Sequence, residues 1–139
     1  MKILIMGLPG AGKTHLALRL HVHLNCAWYN ADAVQKMAND WDFSDAGRRR
    51  QSERMNTIAT FEATRGRTVI CDFVCPTGET RKNFDADITI WMDTIEAGRY
   101  DDTNKIFEEP DEVDYRIGGF MSDESIIDLA AELQEKYNV

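Results

Sequence analysis

The sequence predicts a three-layer α/β fold with a central parallel sheet and helices on both faces, and three observations support this prediction. Short apolar runs alternate with longer segments in which apolar residues recur every three or four positions, the pattern of alternating strands and helices. A glycine-rich segment, residues 7–14, joins the first apolar run directly to the first helical pattern. A length of 139 residues suits one domain, so we expect residues 1–139 to form a single domain that holds the whole site.

The first half of the chain contains two predicted strands and two predicted helices. Residues 2–6 are a short, mainly apolar run closed by Gly7, which predicts a strand, and residues 26–30 predict a second one. A helix is predicted after the glycine-rich segment, and a longer helix over residues 46–65 is ended by Gly66. The apolar positions that support these helices are Leu16, Ala17, Leu20 and Leu24 in the first, and Met55, Ile58, Ala59 and Phe61 in the second.

The second half contains three more predicted strands and a final helix. Residues 68–74 and 88–92 are nearly continuous apolar runs, which is typical of central strands in a parallel sheet, and Pro76 stops the first run. Residues 115–117 predict a short last strand. Residues 101–114 are acidic and predict a long loop. Ser122 or Asp123 is expected to cap a helix whose apolar stripe consists of Ile126, Ile127, Leu129, Ala130, Leu133 and Tyr137.

Composition argues against several classes of protein. The chain has 16 basic and 24 acidic residues, a net charge of −8, which argues against nonspecific binding to nucleic acid. Its apolar runs are far shorter than the roughly 20 residues that a membrane span needs, and its N-terminus lacks the pattern of a secretory signal. Three cysteines without zinc-ligand spacing, Cys26, Cys71 and Cys75, are expected to be core thiols. We therefore expect a cytoplasmic protein without a membrane partner.

The basic charge is concentrated in one segment. Residues 48–67 contain six arginines and only two acidic residues. Such a segment would suit a small anionic ligand better than a long polyanion, although a solvated helix face would explain the same charges.

The glycine-rich segment is the strongest functional motif. It matches G-x-x-x-x-G-K-[ST] in full and lies between a predicted strand and a predicted helix, which is the context that a nucleotide-binding P-loop requires. Glycines allow backbone N–H groups to surround phosphate oxygens, and the helix N-terminus favours negative charge. Lys13 is expected at the β- and γ-phosphates of ATP, and the Thr14 hydroxyl at Mg²⁺. The predicted nucleotide-binding residues are Gly7, Leu8, Pro9, Gly10, Ala11, Gly12, Lys13 and Thr14.

Two aspartates are candidates for the remaining chemistry. Asp32 follows the second predicted strand, and the carboxyl ends of parallel strands meet at one crevice. Its carboxylate could take a proton from an acceptor hydroxyl or position Mg²⁺; alternatively or in addition, it could cap a helix that starts at Ala33. Asp72 interrupts an apolar strand, where a charge is costly without a partner. It is expected either to orient a water bound to Mg²⁺ or to pair with an arginine.

Three further segments resemble the adenylylsulfate kinase (APS kinase) family, which makes PAPS from ATP and adenosine 5′-phosphosulfate. Residues 29–34, 43–48 and 73–76 are similar to its G-D-N-V-R, F-S-x-x-D-R and F-I-S-P segments. With the P-loop and the order of elements, the resemblance covers about residues 1–93. It implies that Asp32 lies near the transferred phosphate, that Phe43 stacks on adenine and that Arg48 binds the anion. Further substrate contacts are implied at Gln51, Phe73, Val74 and Cys75 and, through a weaker match of residues 102–107, at Lys105.

The chain also departs from the family pattern. Ala33, Gln35, Gln51 and Cys75 replace the family's asparagine, arginine, asparagine and serine. Gln35 lacks the charge-assisted contact that an arginine makes to an anion, and Arg49, Arg50 and Arg54 are candidates to supply it instead. The chain is shorter than the family after Asp93, which predicts a reduced lid over about residues 94–114, where Arg99 and Lys105 are the only basic residues.

These observations predict an ATP-dependent kinase of sulfate assimilation. The predicted reaction transfers the γ-phosphate of ATP to the 3′-hydroxyl of adenosine 5′-phosphosulfate, a small anionic nucleotide, with Lys13 and Asp32 as catalytic residues and Mg²⁺ as cofactor. Another hydroxyl acceptor, such as a nucleoside, a small metabolite or a polynucleotide 5′-end, is the first alternative. A nucleotide-binding module without transfer activity is the second. The resemblance also implies a homodimer.

Overall fold

A computed structural model describes residues 1–98 and 100–139, and its central feature is a five-stranded parallel sheet with helices on both sides. The strand order is β2-β3-β1-β4-β5. In chain order the elements are β1 (Lys2–Met6), α1 (Lys13–Leu24), β2 (Ala27–Asn30), α2 (Ala31–Ala38), α3 (Asp45–Ala63), β3 (Val69–Asp72), α4 (Gly78–Phe84), β4 (Ile88–Met92), α5 (Asp101–Ile106), β5 (Tyr115–Ile117) and α6 (Asp123–Tyr137). The predicted fold class is confirmed.

The sheet separates two apolar cores. Successive residues of β1 point to opposite faces, so that Ile3 and Ile5 join one core while Leu4 and Met6 join the other. Helices α1 and α6 cover the first core, and α3 and α4 cover the second. Because β1 is paired on both sides in parallel, with β3 and with β4, the carboxyl ends of the three central strands lie at one edge.

The predicted strands agree closely with the structure, whereas one apolar residue of α3 that was predicted to face the core is exposed. Strands β1, β4 and β5 have the predicted bounds. In α3, Met55 and Ala59 are buried as expected, but the Phe61 side chain is 52% exposed. The guanidinium of Arg65 lies 3.8 Å from the centre of the Phe61 ring, so this ring is covered by a cation rather than by the core.

Helices α4 and α5 were not predicted, and α5 corrects the expected long loop. Helix α2 was expected only as an alternative, starting at Ala33, and it begins at Ala31. Helix α5 occupies Asp101–Ile106 within the segment predicted to be irregular. The Asn104 side chain holds it in place, because its amide donates to the Gly98 carbonyl at 3.0 Å and its oxygen accepts from the Gly98 N–H at 2.8 Å. Side-chain caps likewise start α2 at Asn30 and α4 at Thr77. At α6 the cap is Ser122, not Asp123.

The three cysteines lie in or beside the two cores, as expected. Cys71 and Cys75 are buried, Cys26 is half-buried, and all three are free thiols. Burial raises the pKa of Cys71 to about 12, so that this thiol stays protonated and inert at neutral pH. No helix in the described part of the chain is long and apolar enough to cross a membrane.

Candidate active site

One cavity of about 540 Å³ opens where the central strands end. Its walls come from the P-loop, the start of α2, the loop and first turns that begin α3, the segment after β3, and α5. Of the predicted site residues, Pro9, Gly10, Gly12, Lys13, Thr14, Asp32, Phe43, Arg48, Gln51, Asp72, Phe73, Val74 and Cys75 line this cavity. Most of the predicted positions are therefore brought together.

The P-loop backbone has positive φ angles at Gly7, Gly10 and Gly12, which side chains rarely adopt. Gly7 has φ +150°, and a Cβ there would lie 2.7 Å from the Met92 carbonyl oxygen. Gly12 has φ +95° and caps the N-terminus of α1, so the first N–H groups of this helix face the loop. The Lys13 ammonium donates to the Leu8 carbonyl at 3.0 Å. Leu8 and Ala11 are buried and anchor the loop in the protein, which leaves the phosphate-binding residues at the cavity.

Asp72 ends β3 and is 1% exposed. One of its carboxylate oxygens accepts from the Trp28 indole N–H at 2.6 Å. The other accepts from the Thr14 hydroxyl and the Asn30 amide, each at 3.0 Å. Burial raises the pKa of Asp72, and these three hydrogen bonds oppose that shift. No arginine pairs with Asp72 among the described residues, so the alternative of an ion pair is wrong.

The side chains of Thr14 and Asp72 fit a magnesium ion. A hydroxyl oxygen and a carboxylate oxygen, those of Thr14 and Asp72, are hard ligands of the kind that Mg²⁺ prefers, and they lie 3.0 Å apart. Within residues 1–98 and 100–139 no group of three or more His, Cys, Asp or Glu side chains could hold a metal. An ion at Thr14 and Asp72 would therefore take its remaining ligands from substrate phosphates and water, as Mg²⁺ commonly does.

Asp32 lies in the first turn of α2 and does not cap it. The cap is Asn30, whose side-chain oxygen accepts from the Ala33 N–H at 2.9 Å. The alternative role for Asp32, that of a helix cap, is therefore wrong. Asp32 is exposed and lines the same cavity as the P-loop residues.

The wall opposite the P-loop is formed by the loop before α3 and the first turns of that helix. The Phe43 ring is 62% exposed, and the Arg48 guanidinium donates to the Phe43 carbonyl at 3.0 Å. The Gln51 amide donates to the Ala31 carbonyl at 2.9 Å, which ties α3 to α2. At Gly47 a Cβ would lie 1.9 Å from the Asp42 carbonyl oxygen, so glycine is what allows this loop to fold onto α3.

The arginines that were candidates to replace the missing one lie elsewhere. Arg50 and Arg54 both bind the Asp40 carboxylate, with N–O distances of 2.7 and 2.6 Å. Arg49 lines a neighbouring groove between α3 and α4, which shares Ser52 and Thr80 with the cavity. In the described part of the chain, Lys13 and Arg48 are thus the only lysine or arginine side chains that line the cavity.

The remaining wall follows β3. Cys75 has φ +47° and is 1% exposed, and the turn that contains it is held by Arg81, which donates to the Cys75 and Pro76 carbonyls at 3.0 and 3.1 Å. Across the cavity, α5 contributes Thr103 and Ile106. Lys105, predicted as a substrate contact, is exposed on α5 and is not part of this wall. Arg99 lies outside the described residues.

Sequence reasoning missed several contributors to the site, among them Trp28, Asn30, Ser52 and Tyr100. Trp28 and Asn30 could have been found from the sequence. They lie two positions apart on the strand that leads to Asp32, and residues two apart on a strand share a face. Ser52 and Tyr100 carry no motif, and only the packing of α3 and α5 brings them to the cavity.

The comparisons with known proteins agree with this geometry. The family model for adenylylsulphate kinase matches residues 1–97. The APS kinase CysC of Mycobacterium tuberculosis, solved in complex with AMPPNP and APS, is 19% identical with a TM-score of 0.77, over 99% of this chain and 97% of that one. No curated protein matches the chain.

Other kinases have the same fold. Shikimate kinase from Aquifex aeolicus is 20% identical with a TM-score of 0.67, over 99% of this chain and 98% of that one. A sugar kinase from Janibacter sp. is 16% identical with a TM-score of 0.73, over 96% of this chain and 94% of that one. At these identities the likeness concerns the fold, so the phosphoryl acceptor has to be argued from the cavity.

Proposed function

The chain belongs to the adenylylsulphate kinase family of ATP-dependent kinases, and on this premise we propose that it phosphorylates the 3′-hydroxyl of adenosine 5′-phosphosulfate to give PAPS. One observation supports the proposal above the others. The P-loop and the pair formed by Phe43 and Arg48 line the same cavity, whose volume of about 540 Å³ suits a donor phosphate chain and an acceptor nucleotide meeting end to end.

The P-loop holds the donor. Backbone N–H groups at the start of α1 bind the phosphate oxygens, and the Lys13 ammonium exchanges the Leu8 carbonyl for the β- and γ-phosphates. Thr14 and Asp72 would hold Mg²⁺, which when bound neutralises part of the charge that develops on the phosphates. Asn30 and Trp28 keep the Asp72 carboxylate in one orientation.

Transfer requires little covalent chemistry from the protein. The acceptor oxygen attacks the γ-phosphorus in line while the bond to the β–γ bridging oxygen breaks, and the proton of the acceptor hydroxyl passes to the Asp32 carboxylate. Lys13 stabilises the negative charge that spreads over the transferred group. Positioning and charge compensation therefore account for most of the rate.

The acceptor is held by an aromatic ring and a guanidinium. Phe43 offers an exposed ring on which adenine can stack, and Arg48 offers N–H donors to an anionic group of the same nucleotide. The hydrogen bond from Arg48 to the Phe43 carbonyl holds the guanidinium beside the backbone that carries the ring.

A second candidate is a less anionic hydroxyl acceptor. Arg50 and Arg54 are engaged by Asp40, and Arg50 also pairs with Asp42, which lines the cavity together with Gln35. A wall with one guanidinium and two carboxylates, those of Asp32 and Asp42, also suits a polyhydroxylated acceptor.

The test is product identification. The protein is incubated with MgATP and a panel containing adenosine 5′-phosphosulfate, adenosine, shikimate, gluconate and a 5′-hydroxyl oligonucleotide, and the products are identified by mass spectrometry. We expect PAPS as the main product. Phosphorylation of another panel member with adenosine 5′-phosphosulfate left unchanged would overturn the proposed reaction and favour the second candidate.

A further inference from the structure

Ser52 of α3 carries a buried hydroxyl without a hydrogen-bond partner among the described residues. Its side chain is 6% exposed, and its Oγ is inaccessible. Buried polar atoms in folded proteins are almost always hydrogen-bonded, because an unpaired one loses its interaction with water and gains nothing in return. An exception inside a substrate cavity indicates a partner that arrives with the substrate.

The position of Ser52 along α3 supports this interpretation. The buried stripe of the helix continues with Met55 and Ala59, both of which pack in the apolar core beneath the sheet. One turn before Ser52, Arg48 lines the cavity. Ser52 is thus the buried residue of α3 at the border between the apolar core and the cavity. Alanine would pack equally well at this position, so packing does not explain the hydroxyl.

The neighbours of Ser52 already have other partners. A serine inside a helix often donates to the carbonyl four residues earlier, but Ser52 makes no such bond to Arg48. The Thr80 hydroxyl, which lines the same cavity, is engaged with Thr77 in the cap of α4. The Gln51 amide donates to the Ala31 carbonyl. The Ser52 hydroxyl is therefore left without a partner among the described residues. Because its Oγ is inaccessible, it reaches a ligand in the cavity once the side chain turns to another χ1 rotamer.

We propose that Ser52 is a substrate-contact residue that donates a hydrogen bond to the phosphoryl acceptor and helps to select it. The inference rests on the proposed transfer to a hydroxyl acceptor in this cavity. Arg48 would bind the anionic group of the acceptor, while Ser52, one helical turn further along α3, binds an uncharged oxygen or ring nitrogen of the same molecule. An acceptor without a polar atom at that point leaves the buried hydroxyl unpaired and binds more weakly.

The experiment uses Ser52→Ala and, as a matched control, Thr57→Ala, which removes an exposed hydroxyl from the same helix. For both variants and the wild type we measure the KM of adenosine 5′-phosphosulfate, the dissociation constant of MgADP and the Tm without ligand. Ser52→Ala should raise the acceptor KM by about 5- to 10-fold and leave MgADP binding unchanged. Its Tm should be unchanged or a few degrees higher, since an unpaired buried hydroxyl has been removed. Thr57→Ala should leave the acceptor KM and MgADP binding unchanged.

Each outcome decides the inference. An acceptor KM within twofold of wild type would overturn it, and so would an equal loss of MgADP and acceptor binding, because Ser52 would then be structural. If the wild type instead phosphorylates adenosine, shikimate or gluconate but not adenosine 5′-phosphosulfate, the proposed reaction fails, and Ser52 is judged by the KM of the acceptor that is used. A wild type that phosphorylates no acceptor of the panel, the oligonucleotide included, overturns both the proposed reaction and the role of Ser52.

Discussion

The two walls of the cavity are built by different means. On the donor wall the P-loop backbone is anchored by buried Leu8 and Ala11, and Gly7 and Gly12 have dihedral angles that no other residue adopts easily. On the acceptor wall the recognition elements are side chains, the exposed ring of Phe43 and the guanidinium of Arg48, on a loop held by ion pairs to Asp40. The donor site is thus defined by backbone and the acceptor site by side chains. Substitutions on the first should remove turnover, and those on the second should change which acceptor binds.

The largest effect is expected at Asp32, which lies between the two walls. Asp32→Asn keeps the size of the side chain but removes the proton acceptor, so kcat should fall roughly 10²- to 10⁴-fold while MgATP binding stays near wild type. Steady-state kinetics with a separate binding measurement would check this. Asp45→Asn is the matched control, since Asp45 is also an acidic residue in the first turn of a helix and does not line the cavity. Equal rates for the two variants would leave Asp32 without a role in the chemistry.

Lys13→Ala should reduce turnover by about 10²- to 10³-fold, because a preorganised positive charge at the transferred phosphate is lost. The fold should persist, since Lys13 belongs to the cavity and not to either core. Activity and Tm would be compared with those of Lys36→Ala, a lysine in the last turn of α2. More than a tenth of wild-type activity in Lys13→Ala would contradict the assignment of the donor wall.

Arg48→Ala should raise the KM of the acceptor at least tenfold, as expected for a lost charge-assisted contact of about 1.4 to 3 kcal/mol, and leave the KM of ATP nearly unchanged. Arg48→Lys should restore only part of the affinity, because an ammonium lacks the planar fork of donors. Arg49→Ala removes the neighbouring arginine, which lines the groove between α3 and α4, and should have little effect. If Arg48→Ala weakened ATP and acceptor equally, the two walls would not act separately.

The smallest effect concerns the support of the acceptor wall. Hydrogen bonds from Arg50 and Arg54 hold the pKa of Asp40 well below its usual range. A carboxyl whose pKa is lowered on folding stabilises the fold above its unfolded pKa, about 3.9, and this contribution is lost as the pH falls towards the folded value. Asp40→Asn should therefore lower the Tm by about 1–3 °C at pH 7, and the difference from wild type should narrow below about pH 4. Thermal melts of Asp128→Asn, a substitution on α6, are the control. A Tm difference between Asp40→Asn and wild type that does not change with pH would refute the role of Asp40.

Local patterns were sufficient for much of the fold. The bounds of β1 and β4 followed from apolar runs, because a strand in the middle of a parallel sheet is buried on both faces and must be mainly apolar. The short helices α4 and α5 escaped prediction, since each has too few turns for a helical period to show. Phe61 was misplaced because an apolar residue can lie on the solvent face of a helix when a neighbouring side chain covers it.

In the candidate site, too, some residues were predictable from local sequence and others depended on tertiary packing. The P-loop was predictable because one contiguous segment supplies both the phosphate-binding backbone and the lysine, so that its function does not depend on a distant partner. The role of Asp72 was left between an ion pair and Mg²⁺, since its partners Thr14, Trp28 and Asn30 come from segments 42 to 58 residues away in the chain. The arginines of α3 were equally ambiguous: their spacing did not reveal that Asp40 engages Arg50 and Arg54 and leaves Arg48 at the cavity. Charges and hydroxyls exert their effects over a few ångströms, and which of them meet at that distance is decided when α2, α3 and β3 pack against one another.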